Sequence, residues 1–424
     1  MKIIIFLKRS LFILICPFIF GQLSINGDIK PMIMFNISDH EQMNLPFRFA
    51  HLRMGYVMED FDLFVNSALE HRWGKNQSST FQLREAYATW FPSWGEVKFG
   101  KQIHVWGVAD GNNPTDNLNP YDYYYMFLQG VDRKIGSLSL SVISYWNNWQ
   151  FEGVIIPSHI ANRLPFNEPE FPFQMPMEPN EYEKNENTLE YGFQLKTVVG
   201  ETDIGISYFD GYDRSFSLLG IDTFNIVQLS PKFGYRSTSV IGLNVVTFIK
   251  DFTLRVESAL FSTKNDYDAK WYNYLEAKAD YIQYVIQVEY RMENSKTIGA
   301  QLIGNSILKA AGNTFDLSTM NMTALNTNNF TPGMGTPFAM ISNKSLLVAG
   351  SNRFFDDDVE FNYNVLFNLE NPGQLFGFSL EYLLSDNLFI NVSASYFIGN
   401  NDPINRFEQL EDYSNTQFQL LYTF

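Results

Sequence analysis

Long runs in which apolar and polar residues alternate constrain the fold of this chain more than any other feature of its sequence. In VEFNYNVLFNL (359–369), apolar residues occupy every second position, and asparagine or glutamate fills most of the others. LFINVSASYFI (388–398) and LEYGFQLKTVV (189–199) repeat this pattern. A period of two residues is typical of a β-strand with one apolar and one polar face. The sequence therefore predicts an all-β chain.

The length of these runs favours a membrane barrel over a soluble sandwich. Strands of soluble proteins average about 5 to 6 residues, whereas a tilted strand that crosses a membrane needs about 9 to 11, and the runs quoted above reach that length. Aromatic residues form 16% of the chain and recur near the ends of the apolar phase, as at Phe376, Tyr382 and Tyr422. Membrane barrels carry such aromatic girdles at both interfaces.

The connections between the runs alternate between short and long, as the short periplasmic turns and long extracellular loops of an outer-membrane barrel do. The predicted long loops cover residues 106–122, 149–187, 214–236, 309–343 and 400–414. We therefore predict a single transmembrane antiparallel β-barrel of about 18 strands, with about 16 as the alternative. The predicted strands cover 23–36, 45–58, 61–72, 80–91, 95–105, 123–133, 138–148, 188–199, 202–213, 237–249, 252–263, 274–291, 296–308, 344–354, 358–369, 373–384, 387–399 and 415–424.

The first 21 residues have the pattern of a secretory signal peptide. Lys2, Lys8 and Arg9 precede the apolar stretch LFILICPFIF, which is too short to cross a bilayer as a helix. We predict a signal peptide at 1–21 and the barrel at 22–424. Cys16 is the only cysteine, so we expect neither disulfides nor thiolate metal sites in the barrel. The formal net charge of -16 argues against nucleic acid as a partner.

The last strand carries a second sign of the compartment. In NTQFQLLYTF, the residues Phe418, Leu420, Tyr422 and Phe424 alternate with polar ones. A strand that ends the chain on phenylalanine resembles the assembly signal of bacterial outer-membrane barrels. The predicted location is therefore the bacterial outer membrane, with lipid and lipopolysaccharide around the barrel.

The polar phase of the strands predicts which side chains line the lumen. About 18 strands enclose a space that side chains alone do not fill, so we expect water, a plug or folded loops inside. Two interpretations stand for the lumen-lining side chains: they form a polar permeation path, or they pair across strands and hold the wall together. The predicted residues are Arg84, Lys98, Gln102, His104, Trp106, Lys196, Arg255, Glu257, Glu289, Arg291, Glu360 and Asn362.

Two of the predicted loops have compositions that bear on function. Loop 149–187 is rich in proline and glutamate, and its prolines predict a loop rather than strands. It either folds inward and narrows the pore, where its carboxylates would favour cations, or forms a solvated external flap. Loop 309–343 contains methionines among asparagine, threonine and glycine, and it is either an adaptable apolar contact surface or a solvated loop.

The stretch HVWGVADGNNPTDNLNPYD (104–122) combines turn-forming residues with carboxylates. We predict that it follows strand 95–105 as a stiff loop at the pore mouth. Its side chains at Asp110, Asn112, Asp116 and Asp122 carry oxygen atoms of the kind that bind Ca²⁺, or they form local Asx turns. The spacing of an EF-hand and its closing glutamate are absent, so Ca²⁺ is the weaker interpretation, and we expect no other cofactor.

The hairpin that precedes this stretch, together with the stretch itself, carries a family resemblance. The residues concerned are Leu83–Tyr87 (LREAY), Gly100, Gln102, Trp106, Gly107, Asp110, Asp116, Asn119, Pro120 and Asp122. Their pattern resembles a porin-like family of bacterial outer-membrane barrels of unassigned function, related to the alginate-export and phosphate-selective porins. The resemblance implies an outer-membrane barrel for passive uptake and fixes no solute. The acidic charge of this chain departs from the basic lumen that phosphate selectivity would need.

A diffusion channel or porin-like transporter for small polar or amphiphilic solutes is the leading functional prediction. One alternative is a structural or accessory barrel, plugged by its loops, within a larger outer-membrane complex. Another is a transporter that releases hydrophobic compounds laterally. An enzyme is not expected, because the histidines lack metal spacing such as HExxH and no GxSxG or Walker pattern occurs. A homo-oligomer is left open, since no residue demands one.

Overall fold

The structure of the protein is a computed structural model. It describes residues 21–74, 78–128, 130–171, 178–183, 187–225, 228–265, 275–292, 296–316, 321–402 and 405–424. Residues 1–20, which make up nearly all of the predicted signal peptide, lie outside the described part of the chain.

Eighteen antiparallel strands form one closed barrel, which confirms the predicted fold. Each strand pairs with the next along the chain, and the first strand closes the ring against the last. The first barrel strand has two parts, β1 and β2, separated by a break at residues 30–31. The barrel strands are β1 (Gln22–Ile29) with β2 (Met32–Asn36), β4 (Phe47–Met58), β5 (Phe61–Arg72), β6 (Ser78–Trp90), β7 (Gly95–Gln102), β8 (Ser137–Trp146), β9 (Trp149–Ile156), β10 (Glu190–Val199), β11 (Thr202–Tyr212), β14 (Ser237–Ile249), β15 (Phe252–Lys264), β16 (Ala277–Arg291), β17 (Thr297–Asp316), β19 (Lys344–Phe354), β20 (Val359–Asn368), β21 (Gln374–Ser385), β22 (Leu388–Ile398) and β23 (Asn415–Thr423).

Short elements occupy the long loops, which all leave the barrel at one end. They are β3 (Gln42–Met43), the hairpin of β12 (Ser217–Asn225) and β13 (Gln228–Gly234), β18 (Asn321–Ala324), α1 (Pro337–Ile341) and α2 (Arg406–Leu410). No helix within the described ranges is long and apolar enough to span a membrane. We call this end of the barrel the loop end and the opposite end, with its tight connections, the turn end.

The strand prediction is wrong at two places: one predicted strand is absent and one strand was not predicted, so the total number of strands is unchanged. Residues 123–133 are not a strand: they contain two short 3-10 turns, the first of which is capped by the Asp122 carboxylate. Strand β9 instead occupies the beginning of the predicted loop 149–187 and forms a hairpin with β8. The aromatic run after Asp122 has the composition of a strand, but its rings are buried among loops rather than in the wall.

The outward phase of the strands is apolar, as the alternation predicts. Phe99 is 62% exposed and Ile241 is 56% exposed, and a continuous surface of such side chains is typical of a face in contact with lipid. Further outward side chains are Leu63, Leu140, Phe151, Phe193, Leu243, Ile286, Ile298, Phe376, Phe378, Leu380 and Phe418. Closure of the ring pairs the described strand edges with one another, except beside β2, where the pairing with β4 ends. The chain is therefore a membrane-spanning β-barrel.

The interior differs between the two ends of the barrel. Towards the turn end, partly exposed polar side chains such as Lys98 and Glu289 line the wall. Towards the loop end, Trp106 and Leu118 from a loop pack with Phe261 and Tyr281 from the wall in one buried apolar cluster. Two further clusters of buried loop and wall residues lie nearby. Loops therefore occupy much of the space that about 18 strands enclose.

Two adjacent positions on β21 test the orientation of the wall. Phe378 faces outward and is 47% exposed, whereas Ser379 belongs to the inward phase and pairs with Asn362 of β20. In liposomes, the variant Ser379→Cys will react rapidly with a water-soluble maleimide, and Phe378→Cys will react slowly because lipid covers it. The described residues contain no cysteine of their own, so labelling is specific. Equal labelling of the two variants would contradict the assignment.

Candidate functional site

The loop between β7 and β8, residues 103–136, enters the barrel and crosses its interior. In the ring of 18 strands, β5 is the third and β16 the twelfth, so the two lie on opposite sides. The loop is hydrogen-bonded to side chains of β4 and β6 on one side and of β15, β16 and β17 on the other. We call residues 103–136 the crossing loop.

Glu257 of β15 holds the far side of the crossing loop. Its Oε1 accepts hydrogen bonds from the backbone N–H groups of Val108 and Ala109, at 2.5 and 2.6 Å, and from the Asn113 side chain at 3.0 Å. Its Oε2 accepts from the Thr115 hydroxyl at 2.8 Å. Glu257 is fully buried and forms no ion pair with any described residue. Burying a carboxylate is costly unless hydrogen bonds compensate, so Glu257 and the loop stabilise each other.

Asp110 lies at the tip of the crossing loop, deep inside the barrel. Its N–H donates to Gln287 at 2.9 Å, and its carbonyl accepts from Gln301 at 2.6 Å. Its carboxylate lies 3.7 Å from Arg255, which pairs with Glu289 at 2.9 Å. Because Gln287 and Gln301 stand within their strands, the predicted position of this loop at the pore mouth is wrong. The Asp110 side chain is 66% exposed and faces open space.

Two arginines hold the near side of the crossing loop. Arg48 of β4 donates to the carbonyl of Asp132 at 2.5 Å, and Arg84 of β6 donates to the carbonyl of Val131 at 2.8 Å. The Asp132 carboxylate lies 3.7 Å from Arg48 and 3.5 Å from Arg84. Arg84 thus faces inward as predicted, but the loop covers it and it is buried.

Asp122 joins the crossing loop to the loop between β9 and β10. Arg163 of that second loop binds Asp122 at 3.1 Å and Glu70 of β5 at 2.7 Å. The Tyr125 hydroxyl also donates to Glu70, at 2.6 Å. Burial raises the pKa of Asp122, although Arg163 and Arg48 oppose the shift. The network fixes both loops to one stretch of wall.

A buried ion pair braces the crossing loop internally. Asp116 contacts Lys134 at 2.5 Å, and burial lowers the pKa of Lys134 while Asp116 raises it. Beside this pair, Arg214 binds Glu190 at 2.8 Å and donates to the carbonyl of Leu118 at 3.0 Å. The sequence does not reveal Arg214 or Glu190 as partners of the loop, because both stand at strand ends far from it in the chain.

Three residues predicted to line the lumen are buried: Gln102 at the end of β7, and His104 and Trp106 within the crossing loop. The side chain of Gln102 donates to the Ser139 carbonyl at 3.0 Å, and a ring nitrogen of His104 lies 3.0 Å from the Ser139 hydroxyl. The Trp106 indole N–H donates to Glu152 at 3.1 Å. Strand β7 ends at Gln102 rather than at residue 105, so alternation no longer determines where His104 and Trp106 point.

The other predicted lumen residues lie on the inward phase and are at least partly exposed. Most of their charges are paired: Lys98 with Glu96 at 3.1 Å and Glu360 with Arg353 at 2.9 Å. The partly or fully exposed residues are Lys98, Lys196, Arg255, Glu289, Arg291, Glu360 and Asn362. These side chains fit both predicted interpretations, a polar lining and pairing within the wall, since they form ion pairs and also border open space.

Residues 157–171 of the predicted loop 149–187 fold against the barrel, whereas residues 172–177 and 184–186 of that loop lie outside the described part of the chain. Glu168 binds Arg72 at 2.6 Å, and Glu170 accepts a hydrogen bond from the Asn44 N–H. A cavity of about 300 Å³ lies here, lined by Glu70, Arg72, Ser78, Thr80 and Arg163 among others. We call it the polar pocket. Its two guanidinium groups are paired with carboxylates, so it presents charges of both signs.

The four residues considered for Ca²⁺ do not converge on one point. Lys134 engages Asp116, Arg163 engages Asp122, and the Asn112 amide contacts Gln301 instead. In the part of the chain that the structure describes, no group of three or more His, Cys, Asp or Glu residues is placed to hold a metal ion. Cationic side chains hold these carboxylates in place.

Solved bacterial outer-membrane proteins share this fold. OccK5 (OpdH) of Pseudomonas aeruginosa is 12% identical, with a TM-score of 0.52 over 95% of this chain and 98% of that one. A BenF-like porin of Pseudomonas fluorescens Pf-5 is also 12% identical, with a TM-score of 0.51 over 95% and 98%. OccK2 (OpdF) of P. aeruginosa, solved in complex with glucuronate, is 9% identical, with a TM-score of 0.51 over 95% and 97%.

These likenesses establish a porin-like barrel fold. They do not test the finer resemblance to alginate-export and phosphate-selective porins. No protein-family model and no curated protein matches the chain.

The substitution Glu257→Gln tests the anchor of the crossing loop. A glutamine side chain keeps the shape but replaces one accepting oxygen with a donor, which then faces N–H or O–H groups of the loop. We expect the free energy of unfolding to fall by about 1–3 kcal/mol, the usual cost of a buried unsatisfied group. Urea unfolding in lipid vesicles measures it.

Glu289→Gln is the matched control, since Glu289 is partly exposed and contacts Arg255 rather than the loop backbone. It should change the unfolding free energy by less than about 1 kcal/mol. If both variants lose the same stability, Glu257 has no special part in holding the loop.

Asp213, directly after β11, should make stability depend on pH. Its carboxylate accepts from the Thr238 hydroxyl at 2.6 Å and lies 3.9 Å from Arg236. Burial raises its pKa to about 6, although Arg236 opposes the shift. An unfolded aspartate has a pKa of about 3.9, so the folded chain binds this proton more tightly. Lowering the pH from above 6 towards 4 therefore stabilises the barrel through this group.

The variant Asp213→Asn should lack this contribution. Its free energy of unfolding should exceed that of the parent by roughly 1–3 kcal/mol above pH 6 and approach it at pH 4. Urea unfolding at pH 8, 6 and 4 gives the comparison. A difference between the two proteins that does not vary with pH would refute the assignment.

Proposed function

We propose that this protein is a porin-like channel of the bacterial outer membrane, through which small polar or amphiphilic solutes diffuse. The observation that carries the proposal is the crossing loop. Anchored at Glu257 on one wall and at Arg48 and Arg84 on the other, it narrows the barrel without supplying a reactive group. Narrowing a wide barrel to a selective passage requires such a fixed inward structure.

Exposed charge near the tip of the crossing loop is the proposed selective element. Asp110 and Glu289 there bring two carboxylates against one guanidinium, Arg255. One net negative charge in a narrow passage attracts cations and repels anions. The polar pocket at the loop end, with both signs of charge, would receive solutes that carry polar groups. The fold neighbour OccK2 was solved with glucuronate, a small polar solute.

The proposed role involves no covalent chemistry, no cofactor and no nucleic acid. Residues 1–21 are proposed as the signal peptide that directs export. Lipid and lipopolysaccharide surround the barrel in this proposal.

A plugged accessory barrel within a larger complex is the second candidate function. The observation in its favour is the set of three buried apolar clusters, to which loop residues such as Trp106, Phe330 and Phe407 contribute. If these clusters close the lumen completely, the barrel conducts no ions and serves as a scaffold.

Planar-bilayer recording separates the two candidates and tests the selective element. We expect discrete conductance steps with a preference for K⁺ over Cl⁻. Asp110→Asn should lower the permeability ratio of K⁺ to Cl⁻ by about twofold, because it removes one exposed charge from the passage.

Asp251→Asn is the control, because Asp251 lies exposed in the turn between β14 and β15. It should leave the permeability ratio unchanged. A silent protein that co-purifies with a partner would support the accessory role, and equal effects of both substitutions would reject Asp110 as the selective element.

A further inference from the structure

The first barrel strand, β1 with β2, separates from the second, β4, on the loop-end side of Pro31. Below this point β1 pairs with β4 as far as Ile29 and Ala50. Above it, β2 pairs with the short strand β3 instead, Met34 opposite Met43. Proline has no N–H to donate, so the ladder between the two barrel strands ends at Pro31 and the strands diverge.

Side chains satisfy the backbone of this split. The Trp73 indole N–H donates to the Met32 carbonyl at 2.6 Å, and the Asn44 side chain donates to the Gln42 carbonyl at 3.2 Å. The Asn44 N–H donates to Glu170 of the loop between β9 and β10. An unpaired backbone group is strongly unfavourable in lipid. The side chains that satisfy these backbone groups therefore stabilise the split.

An apolar cavity of about 710 Å³ lies in the split and opens outward. Ile33, Phe418 and Leu420 form one wall of it, and Trp73 approaches from the other side. Phe418 and Leu420 are 47% and 42% exposed on the lipid-facing surface, so the cavity is continuous with that surface. Its volume lies within the range of about 300–1,000 Å³ typical of small-molecule sites. We call it the lateral groove.

Only a thin part of the wall separates the lateral groove from the polar pocket. Gln42 lines the groove, and Pro46, four residues on, lines the polar pocket. On the neighbouring strand, Trp73 borders the groove while Arg72 borders the polar pocket. An apolar site on the lipid side thus lies back to back with a charged site on the lumen side.

We propose that the lateral groove binds the aliphatic chain of a single-chain amphiphile from the surrounding membrane, with the polar head directed across segment 42–46 towards the polar pocket. The groove offers the chain an apolar lining that continues the bilayer. The polar pocket offers the head the hydroxyl groups of Ser78 and Thr80, beside two guanidinium groups that also pair with carboxylates of the protein. This places a lateral path for amphiphiles beside the axial path of the proposed channel. Binding in the groove requires no conduction, so it stands independently of the channel proposal.

Filling the groove tests this site. Ile33→Trp places a large ring within the groove on a surface where tryptophan is tolerated in lipid. The control is Ile25→Trp on the outward face of β1, the other part of the same barrel strand; Ile25 is 54% exposed and lies outside the groove. The measurement is equilibrium binding of radiolabelled palmitate to the purified full-length barrel in amphipol.

We expect saturable palmitate binding to the parent protein, at least about tenfold weaker in Ile33→Trp and within about twofold of the parent in Ile25→Trp. Leu420→Trp, on the same wall of the groove, should repeat the effect of Ile33→Trp, and a heat-modifiable gel band verifies that each variant is folded. Absent saturable binding, or equal affinity in all variants, overturns the site. A protein that binds palmitate but conducts no ions would reject the channel and keep the groove.

Discussion

In hydrocarbon, each backbone N–H and C=O must find a partner within the protein, and the rest of this structure depends on that requirement. It forces the strands into a ring that closes between the first and the last. The ring confines all irregular backbone to its two ends or to its interior. About 18 strands then enclose more space than their own side chains fill. Loops that fold inward fill part of this space, and in the proposed channel a solute passes beside them.

The crossing loop shows how irregular backbone is stabilised inside such a ring. On its far side the loop presents N–H groups, and the wall answers with the acceptor Glu257. On its near side the loop presents carbonyl groups, which accept hydrogen bonds from Arg48 and Arg84 of the wall. Charged partners make stronger hydrogen bonds than neutral ones. Side chains of the wall thus supply the hydrogen-bond partners that neighbouring strands supply in a sheet. They also determine which side of the loop presents N–H groups and which presents carbonyls.

The alternation of apolar and polar residues predicted which face of the wall a side chain points to, because that depends only on its position along the strand. It placed Lys98, Glu289 and Glu360 on the inward face, because successive side chains of a strand point to opposite sides. It failed at 123–133, where an aromatic run resembles a strand but serves to pack loops, and beyond Gln102, where the strand has ended. Contacts such as Val108 with Glu257 join residues far apart in the chain, and no local pattern encodes them.

A few residues of the wall are sequence signals of the crossing loop, but they can be interpreted only once the fold is known. Gly192 stands on the inward phase of β10, and a Cβ added there would lie 2.5 Å from the Trp106 ring and 2.9 Å from Leu118. The small residue at this position therefore makes room for the crossing loop against the wall. Glu257 is a similar sign, since none of the residues opposite it on the adjacent strands, Asn244 and Val285, is cationic.

The acidic balance of the chain says less about the lumen than its net charge suggests. Inside the barrel, carboxylates and cations are mostly matched, as in Asp116 with Lys134 or Glu190 with Arg214. Matched buried pairs contribute little field at a distance, because opposite charges a few ångströms apart cancel beyond their own separation. The field in the passage is then set by the few charges left over at exposed positions. Asp110 is the clearest of these, since it shares Arg255 with Glu289 and keeps its side chain open to solvent.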